Sequence, residues 1–214
     1  PSYVGDYVPD FIALVGPMLY NSYDEYVEMI KTDLVQDMIK RAEEKGIKIL
    51  ALEYVFGFRN VITNKLVERP EDLKGVKIRT PGSQLFIQTL TAMGATVTPL
   101  PWAETLPGVQ QGIVDGIEGS EFTNIGTKVY ELLKNVARTQ HFLGTCGVYI
   151  STQVWDKIPE EYREILNWFA SQARARSTAW TKSAGRSGRR SRSGVRSRRA
   201  CFSRSSAQLA ASTG

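Results

Sequence analysis

The chain has 214 residues, 42% of them hydrophobic, and a formal charge of +5. That is enough apolar material for one or two domains with a core, and it excludes wholesale disorder. No apolar run approaches the ~20 residues of a membrane-spanning helix. The positive charge is local. Eight of the 27 basic residues and none of the 22 acidic ones lie from Ser183 to Gly214, so the remainder is mildly acidic and offers no basic face for nucleic acid. The opening Pro1-Ser2-Tyr3-Val4 shows neither an initiator methionine nor a basic-apolar leader, and no targeting address can be read from it.

In chain order, residues 11–20 form an apolar run broken at Gly16-Pro17, expected as a buried strand and a turn. Ser22 and Glu25 stand at capping-box spacing. Val27, Ile30, Leu34 and Met38 recur at helical spacing, and Gly46 closes that helix. Residues 47–52 read as the next strand, a helix–glycine–strand order typical of α/β chains. Strands continue over 54–58, 60–63 and 76–79. A helix follows Ser83 with Leu85, Phe86, Leu90 and Met93, and it ends at Gly94. Residues 95–100 and 113–117 are expected strands flanking a helix over 103–111. A helix over 123–135 turns Ile125, Val129, Leu132 and Leu133 inward, and residues 136–150 make a long extended crossing. Ser151 opens a short helix, and Pro159 starts the last one, with Ile165, Leu166, Phe169 and Ala173 on one face.

After about Lys182, Ser, Arg, Gly and Ala dominate and apolar periodicity vanishes. Residues 183–214 are expected to be a disordered or frameshifted tail that packs against nothing. An arginine-rich nucleic-acid-binding tail is the weaker reading. The two cysteines suggest no disulfide framework, and Cys146, in an apolar strand-like run, reads as a small core residue.

The most telling residues form an ordered set. It runs through Gly57-Phe58-Arg59, Asp72-Leu73-Lys74-Gly75-Val76-Lys77-Ile78-Arg79-Thr80-Pro81, Pro101-Trp102-Ala103-Glu104 and Gln110-Gln111-Gly112-Ile113-Val114-Asp115-Gly116-Ile117-Glu118. Val129-Tyr130-Glu131 and His141 continue it. Taken singly, an arginine at a strand end reads as solvated or structural. The ensemble, over about Val4 to Ala179, resembles the DctP-type solute-binding proteins of tripartite ATP-independent periplasmic (TRAP) transporters. That resemblance implies an N-terminally truncated α/β fold of the periplasmic-binding-protein kind, with two lobes and a central ligand cleft. Residues 1–56 and 144–182 would belong to the first lobe and 57–143 to the second.

The resemblance also implies a function: capture of a small organic acid in the periplasm for the membrane permease subunits of the transporter. The family's carboxylate-clamping arginine falls on Arg79, and a second ligand-reaching arginine falls on Arg59. A ligand-flanking aromatic falls on Trp102. The residues that select the rest of the ligand fall on Gly119, Ser120 and Phe122. Some members carry asparagine where this chain has Gly119, so the ligand is left open. Leu106-Pro107-Gly108-Val109 departs from the helical Tyr-x-Ala-Leu of the family, which Pro107 allows only near a helix start. Lobe closure over the ligand would exclude water and strengthen the clamp.

No cofactor, metal or catalytic residue is expected. Asp115 and Glu118 read as a turn aspartate and a structural glutamate. One histidine, His141, supports neither a metal cluster nor a triad, and the family places a packing or hinge histidine near that point. A monomer is favoured. The alternative is an α/β enzyme acting on a carboxylate substrate, since fold alone does not fix function.

Overall fold

The computed structural model describes residues 4–172 and 196–198. The described residues fall into two units: 4–15, 20–56 and 145–172 form the first, and 16–19, 57–144 and 196–198 the second.

In the first unit the apolar run expected as a strand is instead a 3-10 helix, Pro9–Val15. Its buried residues are Phe11, Leu14 and Val15, while Ile12 is exposed. That is helical spacing, and strand alternation would have buried a different set. The Ser22 cap forms as expected. Its hydroxyl accepts from Glu25 N at 3.2 Å, and the Glu25 carboxylate accepts from Asn21 N at 2.7 Å. The single helix expected up to Gly46 is two, α1 (Tyr23–Met29) and α2 (Asp33–Glu44). The break falls where the Thr32 hydroxyl donates to Met29 O at 2.7 Å, a side-chain bond that competes with the helical ladder. As a result α2 buries Val35, Met38 and Ala42, while Leu34 is exposed. Gly46, at φ +87°, ends α2 and feeds the 17-residue strand β1 (Ile47–Thr63).

The second unit is organised on β2 (Lys77–Thr80), β3 (Thr96–Pro99) and β4 (Gly116–Ser120), with β5 (Asn135–Ser151) and β6 (Arg196–Arg198) beyond β1. The sheet order is β3-β2-β4-β1-β5-β6. β2 runs parallel to β3 and β4, β1 is antiparallel to β4, and β6 is parallel to Asn135–Ala137 of β5. Of the tail 183–214, only the three residues of β6 belong to the described part. Cys201 and Ala173 lie outside it.

Register decides which side chains share a face. Ile78 pairs with Gly116, Arg79 with Ile117, Val61 with Glu118 and Arg59 with Ser120. Alternation along each strand therefore puts Arg59, Val61, Ile78, Glu118 and Ser120 on one face, and Asn60, Ile62, Arg79, Ile117 and Gly119 on the other. Helix α3 (Gln84–Ala92) packs Phe86 and Leu90 with Val61 and Ile78 on the first face. On the second, Ile62 and Ile117 pack with Val129 and Leu133 and with the half-buried Leu106 and Val109 of α4 (Thr105–Gln110). Pro107 stands third in α4, within its first turn.

Four further expectations are corrected. β4 starts three residues later than its apolar run suggests, because Ile113 is exposed and the strand is made largely of small residues. The helix expected over 123–135 is α5 (Glu121–Gly126) and a 3-10 turn, Val129–Glu131, separated by Lys128 in the left-handed region at φ 55°. That rotation leaves Ile125 exposed. Cys146 is exposed and not in the core, since it takes the outward position of its strand. After α6 (Thr152–Trp155), helix α7 over residues 160–172 buries Ala170 but exposes Ile165 and Phe169.

Gly116 marks a tight approach of β4 to its neighbours in the sheet. A Cβ there would collide with Ile62 O and come within 2.7 Å of Thr63 Cγ2 and 3.1 Å of Ile78 Cδ1. Gly116→Ala should destabilise the chain by about 1–3 kcal/mol in urea unfolding, the usual cost of overpacking. An unchanged midpoint would contradict this register.

Candidate functional site

Arg79 lies one residue from the end of β2 and is 4% exposed. Its Nε and Nη2 donate to the carbonyl of Leu100 at 3.0 and 2.7 Å. Two bonds to one oxygen fix the guanidinium plane. The guanidinium carbon sits 5.3 Å from the ring centroid of Trp102, a cation–π distance. Trp102 itself is 47% exposed, so it is a rim residue with one face on the arginine. The expectation that Arg79 stands at a strand end outside the core is corrected: it is buried, and Leu100 and Trp102 hold it there.

Arg59 projects from the opposite face of the sheet. Its Nε donates to Glu118 Oε2 at 2.6 Å and its Nη2 to Oε1 at 2.5 Å, a fork-on-carboxylate pair. The guanidinium carbon lies 5.1 Å from the Phe86 ring centroid. Glu118 and His141 have no exposure. His141 Nε2 stands 3.7 Å from Glu118 Oε2, too far for a hydrogen bond, while Nδ1 and the Thr139 hydroxyl are 2.6 Å apart. Burial alone would raise the Glu118 carboxyl, but Arg59 and His141 outweigh it and hold it at about 2. Burial lowers the His141 pKa below its ordinary 6.5 against the pull of Glu118, which keeps the ring neutral. Glu118 is structural, as its sequence context implied. The sequence reading did not anticipate that Arg59 is its partner, nor that Thr139 joins the cluster. A glutamate in a buried strand needs a nearby cation, and that requirement was the available signal.

The remaining candidates are placed as follows. Gly119 is buried on the Arg79 face, and nothing lies within 4 Å of where its Cβ would be. Ser120 is buried and caps α5: its hydroxyl accepts from Thr123 N at 3.2 Å and meets Thr123 Oγ1 at 3.0 Å. Phe122, in the first turn of α5, is exposed. Asp115 ties β2 to the start of β4, with its carboxylate accepting from Lys77 N at 3.0 Å. Among the described residues no group of three or more His, Cys, Asp or Glu could hold a metal ion. No described helix is long and apolar enough to cross a membrane.

Comparison with known proteins agrees with this architecture. The sequence profile of the bacterial extracellular solute-binding proteins, family 7, matches residues 1–187. A TRAP periplasmic solute-binding protein from Desulfovibrio salexigens, solved in complex with diglycerolphosphate, superposes with a TM-score of 0.89 at 55% identity over 98% of this chain and 68% of that one. One from Fusobacterium nucleatum, with bound sn-glycerol-3-phosphate, gives 0.91 at 39% identity over 99% and 68%. One from Ochrobacterium anthropi, with bound L-fuconate, gives 0.88 at 27% over 98% and 70%. The two-lobed α/β class expected from the sequence is the class of these neighbours. The chain spans about half the length of the curated relatives it matches.

Glu118 and His141 both bind protons less readily folded than unfolded. Their contributions to stability are therefore complete above pH 6.5 and are lost as pH falls, His141 from 6.5 downward and Glu118 between 4.5 and about 2. His141→Gln, which keeps a polar group beside Thr139, should flatten the decline in unfolding free energy just below pH 6.5 and leave the one below 4.5. An unchanged slope in both ranges would show that His141 does not titrate with unfolding.

Proposed function

We infer the role of this chain from the premise that it belongs to family 7 of the bacterial extracellular solute-binding proteins. Its function is to capture a small organic anion in the periplasm and deliver it to the membrane permease of a TRAP transporter. It binds without transforming the solute. The observation that supports this best is the preset guanidinium of Arg79, its plane fixed on the Leu100 carbonyl and its face against Trp102. A planar fork held in advance is suited to two-pronged binding of an acidic group, because little further entropy is lost on binding.

The acid can be carboxylate or phosphate, since an arginine fork pairs with both. Relatives carry each: L-fuconate in the structure at 27% identity, glycerol phosphates in those at 55% and 39%. A polyol bearing one acidic group covers all three. Trp102, Gly119 and Phe122 are the residues proposed to read the remainder of the solute, with Ser120, whose hydroxyl caps α5, acting through the position of that helix. Arg59, bound to Glu118, would act on it through the position of the sheet.

Calorimetric titration against sn-glycerol 3-phosphate, diglycerol phosphate, L-fuconate and C4-dicarboxylates tests the reading. Arg79→Lys keeps the charge and loses the fork. It should weaken the preferred solute by roughly 10- to 100-fold, the range of a charge-assisted bond of ~1.5–3 kcal/mol. Arg79→Lys binding as tightly as the parent would remove the clamp from the account. Chemical conversion of the solute on incubation would favour an enzyme.

A further inference from the structure

Two glycines of β4 face the sheet differently, and packing requires only the first. A Cβ at Gly116 would collide with Ile62 O, whereas no described atom lies within 4 Å of where a Cβ at Gly119 would stand. Gly119 is not among the residues of positive φ either, so its backbone suits other side chains as well. Yet it lies inside β4, one residue from the end. Glycine weakens a strand interior. Where neither backbone nor neighbours demand it, it marks the close approach of a ligand.

Register puts the space over Gly119 beside Arg79. Arg79 pairs with Thr98 of β3 and Ile117 of β4. Two residues further along, on the same face, stand Leu100 and Gly119. The Arg79 guanidinium reaches that level, because Nε and Nη2 both bond the Leu100 carbonyl. Trp102, which follows β3, lies against it, and the space over Gly119 lies on the β4 side, one strand spacing or about 4.8 Å from β2. The far wall is pinned as well. Asn60, the β1 partner of Gly119, donates to Phe58 O at 3.2 Å and accepts from Gln140 N at 3.1 Å, which holds its amide out of the space. Trp102 and Phe122, which come just after β3 and β4, are both 47% exposed, so solvent reaches this end of the strands.

We propose that the acid clamped by Arg79 is a phosphate monoester, whose third terminal oxygen and ester oxygen occupy the space over Gly119. A carboxylate is flat and lies in the plane of the guanidinium that it pairs with. A phosphate is tetrahedral and carries three acceptor oxygens, so part of it must leave that plane. Trp102 covers one face of the guanidinium, and the space over Gly119 gives the room on the β4 side. The ester oxygen leads on to the remainder of the solute, which Gly119 thus meets where it begins. The inference rests on the reading that Arg79 clamps the acid of a captured organic anion, and it adds which acid.

The test is calorimetric titration of the full chain with sn-glycerol 3-phosphate and with 3,4-dihydroxybutanoate, which keeps the diol and has a carboxylate in place of the phosphate. The parent should prefer the phosphate. Gly119→Ala has room in the fold and should melt no lower than the parent. It should cost roughly 5- to 100-fold in affinity for the phosphate, the effect of a methyl group added to a filled space. The carboxylate should lose less, so the preference narrows, and Gly119→Val should narrow it further. A parent that prefers the carboxylate, binds the two equally, or takes only other carboxylates such as L-fuconate overturns the inference while the capture reading stands. So does a Gly119→Ala variant that keeps the parent's preference. A parent that binds no organic anion at all overturns both.

Discussion

Glu118 lies in the middle of β4 without exposure, flanked by β1 and β2. An isolated carboxylate there would cost several kcal/mol in desolvation, and removing the partner of a buried pair costs about 3–5 kcal/mol. The charge is tolerated because Arg59 arrives from β1 in a two-pronged pair, with Phe86 under its guanidinium and a neutral His141 alongside. The pairing thus locks β1 to β4 in one register. A slip of one residue would put Glu118 against the apolar residues of the opposite face and Ile117 against Arg59.

The same register determines what Arg79 can do. β2 pairs with the other edge of β4, so Arg79 falls on the face opposite Arg59. One arginine is committed to an internal carboxylate and the other to a backbone carbonyl. A carbonyl bears only a partial charge, whereas a carboxylate bears a full one. Arg79 is the one of the two proposed to take the incoming anion. The two residues look alike in sequence, each closing an apolar strand, and differ in the structure because of one step of pleat.

Much of the architecture was legible. The Ser22–Glu25 cap, the α3 spacing, the glycine after α2 and the strand ending on Arg79 follow from local chemistry, and the ordered motif set identified the family. The failures share a cause. Residues 11–15 are apolar enough for a strand or a helix, and only their tertiary neighbours decide between these. β4 was misplaced because Gly116, Gly119 and Ser120 carry no strand signal of their own. The apolar face of α7 was correctly periodic, yet periodicity says that a face is greasy and not what covers it. Within the site, the partners of Arg79 and Arg59 are a carbonyl 21 residues away and a carboxylate 59 residues away, and no local pattern encodes either.

The central claim is that the guanidinium of Arg79 takes the acidic group of the captured solute. A crystal structure of the chain soaked or co-crystallised with its tightest-binding organic anion tests it most directly. The account predicts two acid oxygens within hydrogen-bonding distance of the Arg79 guanidinium, with the Arg59–Glu118 pair intact. An acid group bound elsewhere, with Arg79 contacting no solute atom, would contradict it.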